Sequence, residues 1–249
     1  VETRLFDRHG LASKNATKKF IEVIQDINPD IIHLHNLHGY YLNIEILFNY
    51  LAKINKPVVW TLHDCWAITG HCTHFSFIGC EKWKSQCGNC PQKKEYPASY
   101  IIDNSYYNYN KKKELITSVN KIVIVGVSRW LIDKVENSFL YKYSNRVIYN
   151  GIDLKKFKPF ENCEDVKEKY AIPKEKFIML GVASVWSDRK GLSDFMKLSH
   201  KLLNDEIIVL VGIKKRIINK LPSNIIGIER TENVEELAKL YSLSDVLLI

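Results

Sequence analysis

Short runs of apolar, β-branched residues that each stop on a polar side chain constrain this chain more than any other feature. KIVIVGVS (121–128) is almost wholly apolar until Ser128, PVVWTLHD (57–64) ends on His63 and Asp64, and DIIHLHN (30–36) ends on His33, His35 and Asn36. A strand that is apolar on both faces has to be covered on both, which is the pattern of a parallel sheet between helices. Helix-length patterns lie between the runs. Residues 15–27 carry Phe20, Ile21, Ile24 and Ile27 at helical spacing, and Pro29 closes them. Residues 43–54 and 111–119 read as further helices, and RVIYN (146–150) as one more strand.

After NGIDLKKFKPF (150–160) the pattern restarts. FIMLGVAS, EIIVLVG, NIIGIER and DVLLI read as strands, with LSDFMKLSHKLL and VEELAKLYSLS as helices between them. A stretch of mixed polarity around 158–169 separates the two series and reads as a linker. The expected fold class is α/β, with two Rossmann-like, doubly wound domains. One spans 1–160 with a Cys-rich insertion at about 65–97, and the other 170–249. Ligands of such sheets sit beyond the carboxyl ends of the strands, so His63, Asp64 and Ser128 fall on an expected active-site rim.

Hydrophobic residues make up 46% of the 249 and charged ones 26%, which excludes a disordered chain. No apolar run approaches the ~20 residues of a membrane-spanning helix, and Val1-Glu2-Thr3-Arg4 is not a signal peptide. The chain opens without Met and stops inside an apolar run, so a piece cut at both ends is expected. A net charge of +8 permits anionic ligands but selects none, because runs such as KKKEL read most simply as solvated surface.

WTLHDCWAITGHC (60–72) concentrates reactive side chains. His63 directly follows an apolar strand; it reads either as a rim residue that hydrogen-bonds a substrate or as a capped strand end. Asp64 could orient its ring or contact a substrate itself. His33 and His35 share a strand face and read mainly as structural, whereas Asn36, His38 and Gly39 could line a site. Cys72, Cys80, Cys87 and Cys90 have the spacing of four thiolate ligands, CGNC being the tight knuckle of many zinc sites. A structural Zn²⁺ pinning this loop and reduced, packed cysteines both remain open. Arg189-Lys190-Gly191 places two cations before a helix pattern, where helix N-termini favour anions, although an exposed basic turn has the same signature.

PDIIHLHNLHGYYLNI, WTLHDCWAITGHCTHF, CGNCPQ followed by YP, VSRWL, VIYNGIDLKKFKP, RKGLSDF and ELAKLYSLSDV occur in this order. Together they resemble bacterial glycosyltransferases of family 4, retaining enzymes of the GT-B fold, and within them a colanic-acid or capsule-type subgroup. The resemblance implies two domains facing a cleft, a UDP- or GDP-sugar donor and no catalytic metal. It implies a lipid-linked or oligosaccharide acceptor in surface polysaccharide synthesis, and a cytoplasmic protein in peripheral contact with the inner membrane. It makes Lys190 a diphosphate ligand with Arg189 close by, and sets His63 near the transferred sugar. Ser128 and Arg230 become candidate donor contacts, and NGID a border of the cleft.

Many relatives carry an Arg six residues before that Lys, where Ser184 stands here. The family's Gly-rich loop would lie before Val1 and its Glu-x7-Glu motif after Ile249. Most of an acceptor domain and about half of a donor domain are therefore expected, inactive by themselves. Two rival readings are a zinc-stabilised basic nucleic-acid-binding module, suggested by the cysteines and SYYNYN, and a dinucleotide-dependent oxidoreductase. The second lacks any G-x-G-x-x-G. No nucleic-acid partner is expected from the family resemblance.

Overall fold

The computed structural model describes residues 2–249. The chain divides into two compact units, one ending at Asn150 and one beginning at Gly151. The division falls about ten residues before the expected boundary at 160, and each unit carries its own parallel sheet.

In the first unit α1 (Glu2–Phe6), α2 (Lys14–Ile27), β1 (Ile32–Leu34), α3 (Ile44–Ile54), β2 (Val58–Leu62), α4 (Ser105–Thr117), β3 (Ile122–Gly126), α5 (Arg129–Glu136) and β4 (Ser144–Val147) follow one another. The strands pair in parallel in the order β1-β2-β3-β4. Leu34 is level with Trp60, and Leu62 with Gly126. The residues that follow β1, β2 and β3 therefore emerge along one edge. Asn43 starts α3 by accepting the Ile46 N–H at 3.0 Å, and Leu47, Phe48 and Leu51 face the core.

The segment between β2 and α4 has only single turns of 3₁₀ helix, at Trp66–Ile68, Ser76–Ile78 and Lys82–Lys84. It is no appendage. Trp66, Phe75 and Trp83 are buried in the same core as the sheet, and the Phe75 and Trp83 rings stack 4.8 Å apart. Gly70 permits the close approach to α4, since a Cβ there would lie 2.0 Å from the Ser105 carbonyl oxygen.

The second unit contains α6 (Glu164–Lys169), β5 (Phe177–Val182), α7 (Leu192–Ser199), β6 (Glu206–Val211), α8 (Lys215–Ile218), β7 (Ile225–Ile228), α9 (Val234–Leu243) and β8 (Val246–Leu248). Its parallel order is β7-β6-β5-β8, so the winding reverses at β5. Ile207, Val209 and Val211 pack into one core with Val166, Ile172 and Leu240. Ile208 and Leu210, pointing the other way, pack with Trp186, Phe195 and Ile213. The alternation follows from the two-residue repeat of a strand and explains why β6 is apolar throughout.

Two elements depart from the expected pattern. α6 lies inside the stretch read as a linker, because EDVKEK offers one apolar residue, Val166, and therefore no periodicity. α5 follows Ser128 directly, and its eight residues are too few to announce a helix. Among the described residues no helix is long and apolar enough to cross a membrane.

Candidate functional site

Parallel pairing brings the ends of β1 and β2 together, and two histidines meet there. His35 Nδ1 lies 3.0 Å from His63 Nε2, with the rings stacked at 5.3 Å between centroids. His35 is fixed from behind, because its carbonyl accepts the Trp60 indole N–H at 2.9 Å and Trp60 is buried. His63 itself is exposed. One step back along the strand, His33 Nε2 lies 2.8 Å from the Thr61 hydroxyl. The sequence marked His63 as a rim residue; His35, read as mainly structural, joins it.

Asp64 does not orient the His63 ring. Its Oδ1 accepts the Trp66 N–H at 2.9 Å, and its Oδ2 lies 2.7 Å from His38 Nε2. Residue geometry explains the difference: the chain turns directly into Trp66–Ile68, and a carboxylate two residues past the strand caps that turn. The other nitrogen of His38 meets the Tyr96 hydroxyl at 3.2 Å, so the far end of the Cys-rich segment reaches the rim. His35, Asn36, His38, His63, Asp64 and Trp66 line one shallow pocket. Tyr96 was the residue sequence reasoning missed, and the YP that follows CGNCPQ was its only signal.

Ser128, at the end of the adjacent β3, accepts the Leu131 N–H at 3.2 Å and is the N-cap of α5. Its oxygen is thereby committed to the helix, while the hydroxyl proton stays free to donate. Arg129, the first residue of α5, is exposed.

In the second unit Arg189 and Lys190 occupy the turn Asp188–Lys190 between β5 and α7. Gly191 follows with φ +76° and serves as the N-cap of α7, a conformation that an L-residue adopts only with strain. Both cations are exposed. They sit beyond the carboxyl end of β5, beside the point where the strand order reverses, which is where open α/β sheets bind ligands. Lys214 lies three residues after β6 and Arg230 two after β7, so the segments that leave three neighbouring strands all carry basic residues. Among the described residues none of the ion pairs involves these four cations. A cavity of about 650 Å³ in this unit is instead a largely apolar groove lined by Phe157, Phe160 and Tyr241 among others. It holds no constellation suited to a sugar nucleotide.

Cys72, Cys80, Cys87 and Cys90 are brought to one small cavity, with His71 also in its wall. All six cysteines of the chain are unpaired. Among the described residues, three ligand-type side chains lie within 4.8 Å of one another only at Asp7, His9 and His71. That trio is a clamp. Asp7 Oδ1 to His71 Nδ1 is 2.6 Å, a hydrogen bond, whereas two ligands of one tetrahedral zinc stand ~3.3 Å apart. The second Asp7 oxygen accepts the Asn104 N–H at 2.9 Å, and its carbonyl accepts from Asn108. Burial disfavours the charged form of His71, but Asp7 outweighs it and raises the imidazole. His9 Nε2 lies 3.6 Å from the same Asp7 oxygen, too far for a hydrogen bond, and His9 is pushed down to about 4 by burial and by His71.

Two parallel α/β sheets, each with polar or basic residues along its carboxyl edge, define a protein of the GT-B type. Residues 2–156 match the family model for Glycosyltransferase Family 4; the chain belongs to that family. It is 30% identical over 178 residues to the putative colanic acid biosynthesis glycosyl transferase WcaC of Escherichia coli K12, covering 69% of this chain and 42% of that protein. Among solved structures it is similar to the sucrose-phosphate synthase of Thermosynechococcus elongatus, with TM-score 0.63, 16% identity, and 93% and 52% of the two chains covered. It is also similar to Anabaena Alr3699/HepE in complex with UDP, with TM-score 0.58, 12% identity, and 93% and 55% covered. The chain thus spans about half the length of the proteins it matches.

Proposed function

We propose that this chain forms part of a glycosyltransferase that moves a sugar from a UDP- or GDP-sugar to a lipid-linked or oligosaccharide acceptor in bacterial surface polysaccharide synthesis. The observation that carries the reading is the pair Arg189–Lys190, free and exposed at the switch point of the second sheet. In such a transfer the acceptor oxygen bonds to the anomeric carbon while the bond from that carbon to the diphosphate breaks. The hydroxyl proton leaves with the phosphate or passes to a base.

Charge therefore accumulates on the departing diphosphate, and preorganised cations are the groups that stabilise it. Lys190 and Arg189 act there, with Arg230 close to the nucleotide. His63 hydrogen-bonds the sugar or orders the acceptor, and His35 holds its ring. The WcaC match supports a place in polysaccharide biosynthesis, and the UDP complex of HepE supports a nucleotide donor. Work on the acceptor at the inner membrane face is in keeping with the net charge of +8.

Calorimetric titration of UDP and GDP into the full-length protein tests the reading. Binding of one nucleotide, weakened about tenfold by Lys190→Ala, is expected, a loss of ~1.4 kcal/mol. Absence of binding to both would overturn it.

A further inference from the structure

The cavity bounded by Cys72, Cys80, Cys87 and Cys90 measures about 20 Å³, enough for a single water-sized occupant. Two features around it are unexplained by packing. His71 is held by Asp7 through Nδ1, which leaves a buried Nε2 without a hydrogen-bond partner on a ring that forms part of the cavity wall. Lys112 is fully buried; its ammonium donates to the Trp66 carbonyl at 2.6 Å and sits 3.7 Å from the Trp66 ring centroid. Among the described residues no carboxylate pairs with it. An ammonium in an interior without a counter-charge is strongly unfavourable.

The surroundings supply the missing negative charge if the thiols are ionised. Cys87 and Cys72 are the foremost groups opposing the burial that lowers Lys112. Backbone N–H groups of Gly70 and Gln92 donate hydrogen bonds to the sulfurs of Cys87 and Cys90. Outer hydrogen bonds of this kind orient the ligands of a metal site.

We propose that this cavity is a structural Zn²⁺ site whose four ligands are the thiolates of Cys72, Cys80, Cys87 and Cys90, with Lys112 as the buried counter-charge. Binding releases four thiol protons and leaves a centre of net charge −2. Zn–S bonds of ~2.3 Å set tetrahedral sulfurs ~3.8 Å apart. No three of these sulfurs lie within 4.8 Å of one another, so the ion draws the loop inward. Closing this loop fixes Tyr96, six residues beyond Cys90, against His38. The metal thereby acts on the rim without touching substrate, and the proposal does not depend on which sugar nucleotide is used.

The test is elemental analysis of the chain purified without chelator, together with Co²⁺ titration of the metal-stripped wild type. One zinc per chain is expected, kept by Cys163→Ser in the other unit and lost by Cys87→Ser and Cys90→Ser. Because those variants risk misfolding, the wild-type titration carries the decision. It should show intense thiolate-to-cobalt charge transfer and tetrahedral d–d bands, abolished by one equivalent of Zn²⁺. A folded chain with neither zinc nor a cobalt–thiolate band would overturn the site. Zinc retained in Cys80→Ser but lost in His71→Ala would overturn the four-thiolate set in favour of three thiolates and an imidazole.

Discussion

His35 Nδ1 and His63 Nε2 share one hydrogen bond of 3.0 Å, so one of the two nitrogens carries the proton and the other accepts it. The tautomers are consequently linked, and a change at either ring alters what His63 offers at its other nitrogen. In the full-length enzyme His63→Ala should lower kcat roughly 10²-fold with little effect on donor affinity. His35→Ala should cost less, and the double variant should be no worse than His63→Ala. Steady-state kinetics with saturating acceptor decide the matter; additive losses would separate the two residues.

Tyr96 allows a second, more local test. Its hydroxyl meets His38 Nδ1 at 3.2 Å, and Asp64 holds the opposite nitrogen at 2.7 Å. Tyr96→Phe removes one neutral hydrogen bond and keeps the ring, a loss of about 1 kcal/mol. The expected outcome is a several-fold fall in kcat with a melting temperature lowered by only a few degrees. A large drop in melting temperature at unchanged kcat would make Tyr96 purely structural.

Much of this arrangement was visible in the sequence, and the remainder was hidden for a definite reason. Strands such as KIVIVGV announce themselves because burial on both faces leaves no polar position until the carboxyl end. His63 and Asp64 were legible as rim residues on the same ground. Their partners were not. His35 reaches His63 only because Leu34 pairs with Trp60, and His38 reaches Asp64 across 26 positions. Register and loop closure decide such contacts, and no local period encodes them. The short α6 was missed because Val166 is its sole buried residue.

Arg189 and Lys190 should separate by substitution. Both precede Gly191 and α7, but the family resemblance assigns the diphosphate to Lys190. Lys190→Ala should therefore weaken nucleotide binding about tenfold, ~1.4 kcal/mol, and Arg189→Ala less. Raising the salt concentration should shrink both differences, since the cations are exposed. Calorimetry at two ionic strengths checks this; a larger loss for Arg189→Ala would reverse the assignment.

Glu236 gives the second unit a pH-dependent tie. Its carboxylate accepts from Lys169, from the Tyr170 hydroxyl at 3.0 Å and from the Glu232 N–H at 2.7 Å. Burial opposes ionisation, but these partners outweigh it and hold the carboxyl below its ordinary value. A depressed folded pKa contributes stability above the unfolded value, ~4.3 for Glu. That contribution is lost as pH falls through the folded value. Glu236→Gln should cost about 1–2 kcal/mol at pH 7, discounting for the half-exposed Lys169. The gap from wild type should begin to shrink below roughly pH 4 and close only once the folded value is passed. Urea unfolding at pH 7 and at a series of pH values below roughly 4 measures it, and a gap that does not shrink across the series would show that the charge is not responsible.

Gly70 provides the sharpest test of how the Cys-rich segment is built into the first unit. A Cβ there would meet the Ser105 carbonyl oxygen at 2.0 Å and Cys87 Cβ at 2.9 Å, and neither is the free end of a flexible side chain. The loop must then withdraw from α4, loosening the contact of Lys112 with Trp66 and the clamp of Asp7 on His71 at once. Overpacking against backbone costs typically 1–3 kcal/mol, and the disturbed buried groups add to it. Gly70→Ala should therefore lower stability by about 3 kcal/mol or more, where Gly79→Ala, with nothing near its Cβ, should cost only the strain of its φ of +61°. Thermal unfolding of the two variants side by side makes the comparison. Equal shifts would mean that the segment rests on the sheet core alone and that its contact with α4 contributes little.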